Sequence, residues 1–339
     1  MKIKYSEISV AVAVYNGEKT LYKTLDSLKK QTFRNLNVLI SDDCSTDNSK
    51  KIINEFINQC PNFYLIGNDK NIGMFNNYNK LFNISNSKYF AWVDQDDYRE
   101  NLYFEKCFNE LEKKQNAVLA FAYTGVKNKE NGELMHINTI NSLERVRDVD
   151  LRYENLIKNF NDTIIYSLIR SDTLKKTDLW VNINGSANKL IYQLSLHGEF
   201  AQIREVLTYY YGMGLANRYD SNQEYLRSTK KIKNIFNLPF LILFIHQFKD
   251  LFLCKKLNYF KKIKISLLII LDLFFINMSK FVYRFLSIFK NKKLNNLTYK
   301  IINALLDRNN DIINIVDINK YPLFYPKHYP YKKVKGIKR

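Results

Sequence analysis

Cysteine is scarce and scattered: Cys44, Cys60, Cys107 and Cys254 make no C-x-x-C pair and no dense framework. That spacing argues against a disulfide scaffold or a zinc site and suits reduced thiols in a cytosolic protein. No internal repeat and no Gly/Ser-rich linker interrupts the chain. At the N-terminus Lys2 and Lys4 precede an apolar run that stops at Val14 with no small-residue cleavage pattern, which reads as a first strand and not as a signal peptide. Acidic residues are sparse in the last third. From Leu226 to Arg339 there are 24 Lys and Arg against 5 Asp and Glu, whereas residues 1–225 hold 28 of each. The whole net charge of +19 therefore sits in the last third, as expected of a neutral binding or catalytic domain followed by a basic region that seeks an anionic surface.

What is present suffices for a substantial core. The 339 residues exceed the roughly 250–300 at which single cores stop growing, so two regions are expected, 1–220 and 221–339. An apolar content of 46%, with 24 Tyr and 23 Phe, excludes a mostly disordered chain.

Strand and helix patterns alternate four times. Ile8–Val14 is a β-branched run closed by Asn16-Gly17, and Leu21, Leu25 and Leu28 then recur at helical spacing. A second strand, Asn37–Ser41, ends at Asp42-Asp43 and precedes a helix over Ser49–Asn58. A third, Phe63–Ile66, precedes the Asn71-Ile72-Gly73 loop and a helix over Asn76–Phe82. A fourth, Tyr89–Val93, runs into Asp94-Gln95-Asp96-Asp97, followed by a helix over Leu102–Lys113. The order implies an α/β fold with a doubly wound, mainly parallel sheet, whose ligands bind outside the carboxyl ends of the strands. Ala117–Ala122 reads as a further strand, Asn131-Gly132 as a hairpin turn, and residues 145–215 as a mixed region with a helix near Lys189–Leu196 and a strand near Phe200–Tyr211.

Three of the expected strand ends carry unusual chemistry: Tyr15-Asn16, Asp42-Asp43 and Asp94-Gln95-Asp96. A nucleotide sugar presents a base, a ribose and a diphosphate. Tyr15 can stack on the base, Asp43 can accept from base or ribose, and Asp94 and Asp96 can serve ribose and a hard divalent ion such as Mg²⁺ or Mn²⁺. Each residue taken singly also has a structural use. Tyr15 suits a core position at a strand end, Asp42 and Asp43 can shape a turn and cap the next helix, Asn71 and Gly73 can make a turn, and Asp94 to Asp97 can form a solvated loop.

In order, Ile8-Ser-Val-Ala-Val-Ala-Val-Tyr-Asn-Gly17, Gln31-Thr-Phe33, Ile40-Ser-Asp-Asp-Cys-Ser-Thr-Asp47, Asn71-Ile-Gly73 and Asp94-Gln-Asp-Asp97 resemble the motifs of family 2 glycosyltransferases with the GT-A, Rossmann-like fold. The resemblance covers residues 6–125 and resumes at Leu196–Leu207. It implies a nucleotide-sugar donor bound by Ala13, Tyr15, Asn16, Asp42, Asp43, Asn71, Gly73, Asn77 and Asp94, and a divalent metal held by Asp94 and Asp96. It also implies inverting transfer to a glycan or lipid-linked acceptor, with a base taking the acceptor proton. The chain departs from the family there: the acidic base expected before the Leu196-His-Gly198 motif falls on Ala187, and Ser186 is too weak a base to replace it. Asp162, Asp178 and His197 are the nearest ionisable alternatives, each with a structural reading as well. A non-catalytic nucleotide-sugar-binding scaffold therefore stands beside the enzyme. A nucleotidyltransferase is disfavoured, because no Gly-rich loop with Arg or Lys follows the first strand.

In the last third, the apolar stretches Asn234–Phe248 and Ile265–Ser279 are bounded by lysines and interrupted by His246 and Asp272. They are shorter than the ~20 residues a membrane span requires. They read as interfacial helices that place the protein on an anionic membrane surface at the cytoplasmic face, with core or oligomer-interface helices and a spanning pair as the other readings. Interleaved Leu, Ile and Phe argue against nucleic acid.

Overall fold

Strand β1 (Ile8–Val14) is apolar at every position but Ser9 because both of its faces are covered. Ile8, Val10, Val12 and Val14 join a core that contains Leu21, Leu25 and Leu28 of α1 (Leu21–Lys29), Ile53 and Phe56 of α2 (Ser49–Gln59), and Phe104 and Leu111 of α4 (Tyr103–Lys113). The alternate positions Ser9, Ala11 and Ala13 are small. They leave room on the other face for α3 (Met74–Ile84), which buries Tyr78, Leu81 and Phe82. Each fully buried Val, Leu or Ile contributes about 1.5–3 kcal/mol. This run therefore anchors the fold.

The computed structural model describes residues 3–128, 132, 134–138, 143, 146–158, 162–183, 185–212 and 239–271. All of them belong to one compact unit formed by Met1–Met213 and Ile232–Leu271. The other strands are β2 (Leu36–Asp42), β3 (Phe63–Gly67), β4 (Tyr89–Trp92), β5 (Asp97–Arg99), β6 (Ala117–Asn128), β7 (Leu134–Asn138), β8 (Leu168–Arg170) and β9 (Glu199–Gly212). The sheet order is β3-β2-β1-β4-β8-β6-β9-β5, and β7 pairs with β6. The β3-β2-β1-β4 half is parallel throughout. In the other half β6 and β9 are parallel, while β8, β7 and β5 are antiparallel to their neighbours. The sheet is thus mixed and largely parallel, an α/β Rossmann-like arrangement with helices on both sides.

The four alternating units lie where the periodicity puts them, with ends shifted by one or two residues. The region after residue 145 holds more than the expected helix and strand. It contains α5 (Val149–Lys158), a 3₁₀ helix (Asp162–Tyr166), β8 and the short α6 (Ser171–Leu174), ahead of α7 (Ser186–His197). β5 was also missed, and Asp97 leaves the acidic loop to enter it. The β6–β7 pair is a hairpin with Gly132 at φ +71° between its strands; Asn131 lies outside the described residues.

Beyond β9, α8 (Pro239–Leu253) packs on α7 and buries Leu243, Phe244 and Leu251. A Cβ on Gly185, at the start of α7, would lie 2.9 Å from Leu243, so Gly185 permits that approach. A second helix spans 259–271. Among the described residues no helix is long and apolar enough to cross a membrane. The expected stretches Asn234–Phe248 and Ile265–Ser279 extend beyond these residues at 234–238 and 272–279, as do most of the basic region and its aromatic tail.

Candidate functional site

Strand order reverses between β1 and β4, and β4 ends at Trp92 opposite Ala11 while β1 runs on to Val14; a ligand crevice is expected outside the carboxyl ends at such a switch point. One side chain ties its two walls together. Gln95 Oε1 accepts from the Tyr15 amide at 3.0 Å, and Gln95 Nε2 donates to the Tyr15 carbonyl at 3.1 Å. A Cβ on Gly17 would lie 2.5 Å from Gln95 Oε1, so this clamp requires glycine at 17. Tyr15 is 50% exposed and is therefore no core aromatic. Its ring is available to a planar ligand. Asn16, at φ +49°, accepts from the Thr46 amide at 2.9 Å, and its own amide donates to Ser45 Oγ at 2.9 Å. These bonds join the loops after β1 and β2.

Asp42 and Asp43 are separated by strand alternation. Asp42 shares the face of Val38 and Ile40 and accepts from the Ser45 amide at 3.2 Å, with Lys50 Nζ at 3.7 Å. It shapes the turn and does not join the group built around Asp43. The first amide of α2 is satisfied instead by Asp47, whose Oδ1 accepts from the Ser49 amide at 3.0 Å. Asp43 is buried at the centre of the loop cluster. Its Oδ1 accepts from Asn68 Nδ2 and the Ile72 amide, both at 2.9 Å, and its Oδ2 accepts from the Gly73 amide at 2.8 Å. Asn71 Nδ2 donates to the Asp43 carbonyl at 3.0 Å. Asn77 receives Asn68 Nδ2 at 3.2 Å and donates to the Ser41 carbonyl at 3.1 Å. Gly73 stands at φ +82°, a conformation that favours glycine. Asp43, Asn71, Gly73 and Asn77 therefore form one connected polar group, while Ala13 pairs in register with Ser41 beneath it.

Beyond β4 three carboxyls crowd together. Asp94 is partly buried and receives hydrogen bonds from the Tyr78 and Tyr166 hydroxyls, supplied by α3 and by the 3₁₀ helix. Burial first, and then the charge of Asp96, push Asp94 up to about 6 against those hydrogen bonds. Burial also pushes Asp97 up to about 7, with Arg99 opposing and Asp94 and Asp96 reinforcing the rise. Asp97 Oδ2 pairs with Arg99 Nη2 at 3.2 Å. Asp97 is thus part of a buried ion pair, and Asp96 alone of the three is exposed. One oriented carboxylate beside one solvent-facing carboxylate fits a hard divalent ion that completes its shell with phosphate oxygens and water. Among the described residues no group of three or more His, Cys, Asp or Glu gathers as a protein-only metal cage.

The expected base position is empty of acid. Ala187 lies in the first turn of α7, after Gly185 at φ +82°, and Ser186 Oγ is engaged in accepting from the Val181 amide at 2.9 Å. Asp178 is paired with the fully buried Lys189 and accepts from Gln193 Nε2 at 3.0 Å. The Lys189 hydrogen bond holds the Asp178 carboxyl below its usual value, which weakens it as a base. His197 ends α7, ten residues past Ala187 and so about 15 Å along the axis. Burial and Lys256 lower its pKa. Asp162 begins the 3₁₀ helix.

The segment after Asp178 nonetheless reaches α3 beside Asp94. Trp180 stacks on Phe75 at 5.6 Å and on Tyr78 at 5.1 Å, the residue that orients Asp94. Sequence reasoning missed Gln95, Tyr78 and Tyr166. Alternation along β2 was a signal available to separate Asp42 from Asp43.

A mixed, largely parallel sheet that reverses order beside an acidic strand end is the GT-A arrangement. Residues 1–349 of Staphylococcus aureus TarS in complex with UDP-GlcNAc share this fold at TM-score 0.58 and 16% identity, over 93% of this chain and 91% of that one. Residues 9–177 match Glycosyl transferase family 2, and the chain belongs to that family. GlyA of Streptococcus pneumoniae is 31% identical over 150 residues, 44% of this chain and 21% of GlyA. An Escherichia coli chondroitin synthase is 28% identical over 212 residues, 59% of this chain and 30% of the synthase. The E. coli UDP-Glc:α-D-GlcNAc-diphosphoundecaprenol β-1,3-glucosyltransferase WfaP is 34% identical over 91 residues, 27% of this chain and 36% of WfaP. The chain thus spans between about a fifth and two-fifths of these relatives.

Proposed function

We propose that this protein moves a sugar from a nucleoside diphosphate donor to a surface glycan or lipid-linked glycan, with inversion, while resting on the cytoplasmic face of the cell membrane. The observation that carries the reading is the meeting of Tyr15, the Asp43 group and Asp94-Asp96 at the β1–β4 crevice. Tyr15 faces the base, and the Asp43 group holds the Asn71–Gly73 loop while Asp43 Oδ2 keeps a lone pair for the nucleoside. Asp94 and Asp96 hold Mg²⁺ or Mn²⁺, which when bound neutralises charge on the diphosphate leaving group. Tyr78 and Tyr166 fix the Asp94 carboxylate so that it meets the ion without rearrangement. The activities for which WfaP and the chondroitin synthase are named support glycan chemistry for the acceptor.

Inversion requires removal of the acceptor proton, and Ala187 cannot do it. The proton leaves either through a carboxylate supplied from elsewhere or to water, at a slower rate. A screen of nucleotide sugars with Mg²⁺ or Mn²⁺, scored for both binding and hydrolysis, tests the proposal. Ion-dependent hydrolysis that disappears in Asp96→Ala supports an enzyme. Binding with no turnover over a broad acceptor panel identifies a nucleotide-sugar-binding scaffold instead.

A further inference from the structure

The 259–271 helix carries two apolar stripes, and the fold uses only one of them. Facing inward, Ile265 and Ile269 are 0% and 1% exposed. Lys261 Nζ pairs with Asp150 of α5 at 2.8 Å, and Lys264 Nζ pairs with Glu154 of α5 at 2.6 Å. Two ion pairs and two buried isoleucines fix the rotation of this helix about its axis. Its other apolar residues are consequently held outward. Phe260, Ile263, Leu267, Ile270 and Leu271 stand at i, i+3, i+7, i+10 and i+11, a continuous helical stripe. They are 81%, 37%, 55%, 50% and 50% exposed. Phe252 and Leu253, at the end of α8, are also exposed.

The surroundings are cationic. Residues 239–271 contain six lysines, Asp250 as the single acidic residue, and no arginine. Lys249, Lys255 and Lys256 are exposed beside Phe252 and Leu253. Among the described residues no helix is long and apolar enough to cross a membrane. An outward apolar stripe with a lysine border is the arrangement that lies in the plane of a bilayer surface. A second copy of the chain fits less well, because it would bring the same positive charge onto itself.

We infer that Phe260, Ile263, Leu267, Ile270 and Leu271 form the membrane-contacting face, entering the acyl boundary while Lys255 and Lys256 meet anionic headgroups. The inference rests on the membrane association proposed above and names the surface that accomplishes it. The test is co-sedimentation of the full chain with phosphatidylcholine vesicles, with and without phosphatidylglycerol. Wild type and a Phe260→Glu/Leu267→Glu variant are compared, with thermal melting as the folding control and light scattering for mass. The expected result is binding to phosphatidylglycerol vesicles alone, weakened about tenfold or more in the variant, with melting and mass unchanged. Equal binding by both proteins overturns this face and leaves the membrane reading standing. Failure of wild type to bind either vesicle overturns both. A dimer that the variant converts to monomer, without loss of lipid binding, assigns the stripe to a second copy and likewise overturns the inference.

Discussion

Two parts of the crevice are finished to different degrees. At the ends of β1, β2 and β4 each side chain that could meet the donor is itself held: Tyr15 by the Gln95 clamp, the Asn71–Gly73 loop by Asp43, and Asp94 by two tyrosine hydroxyls. At the start of α7 the scaffold is as orderly, but Ala187 stands where an acid is expected, and the nearby carboxylate is committed to Lys189. Binding geometry and proton chemistry can thus be separated within one fold. In the proposed reading the donor side has its groups in place and the acceptor side lacks one.

That contrast can be broken at either end. The largest effect is expected from Asp96→Ala, which removes the solvent-facing ion ligand and should lower ion-dependent donor hydrolysis by on the order of 10³-fold without altering the melting temperature. Next comes Ala187→Asp. It places a carboxylate in the first turn of α7 and should raise transfer by about 10²-fold if a base is what the acceptor side lacks. Steady-state rates with a fixed donor decide it, and an unchanged rate locates the base elsewhere.

Asp43→Ala acts on the donor side through structure. It leaves the Ile72 amide without an acceptor and the Gly73 amide and Asn68 Nδ2 with only Asn71 Oδ1 and Asn77 Oδ1, at a cost of about 2 kcal/mol, so thermal melting should fall by roughly 4–8 °C while donor affinity drops. The smallest effect belongs to Asp178→Asn. Asp178 is half exposed, and in the variant the buried Lys189 keeps the Asn carbonyl as acceptor and Asp250 at 3.9 Å as counter-charge, so the loss is on the order of 1 kcal/mol. Because its folded pKa lies below 3.8, that contribution is present above this value and fades as pH falls through the lowered one. Melting curves between neutral and acid pH read the effect. Loss of turnover in Asp178→Asn, with melting preserved, would instead make Asp178 the missing base.

Much of the donor side was legible because it depends on local patterns. The β-branched run at Ile8–Val14, the alternation of strands with helices, and the acidic residues at strand ends each act through near neighbours in the chain. Gln95 was not legible, since its role exists only because β4 lies beside β1. Tyr78 reads in sequence as one more apolar position of α3, and its hydroxyl acquires meaning only when Asp94 is opposite. Region 145–215 resisted for another reason. Its short β8, 3₁₀ helix and α6 are too brief for a period to show, and they are held by tertiary contacts such as Arg170 to the Ala117 carbonyl at 2.8 Å. Ala187 shows the reverse case: the motif resemblance puts the base in the first turn of α7, and the residue in that turn is an alanine.

The central claim is that Asp94 and Asp96 bind a nucleoside diphosphate sugar through a divalent ion. Isothermal titration of wild type and Asp96→Ala with a panel of nucleotide sugars, with and without Mn²⁺, tests it most directly. The account predicts that at least one donor binds wild type only when the ion is present, and that Asp96→Ala weakens that binding by tenfold or more, about 1.4 kcal/mol. Failure of every donor to bind with the ion present, or equal affinity in Asp96→Ala, would contradict it.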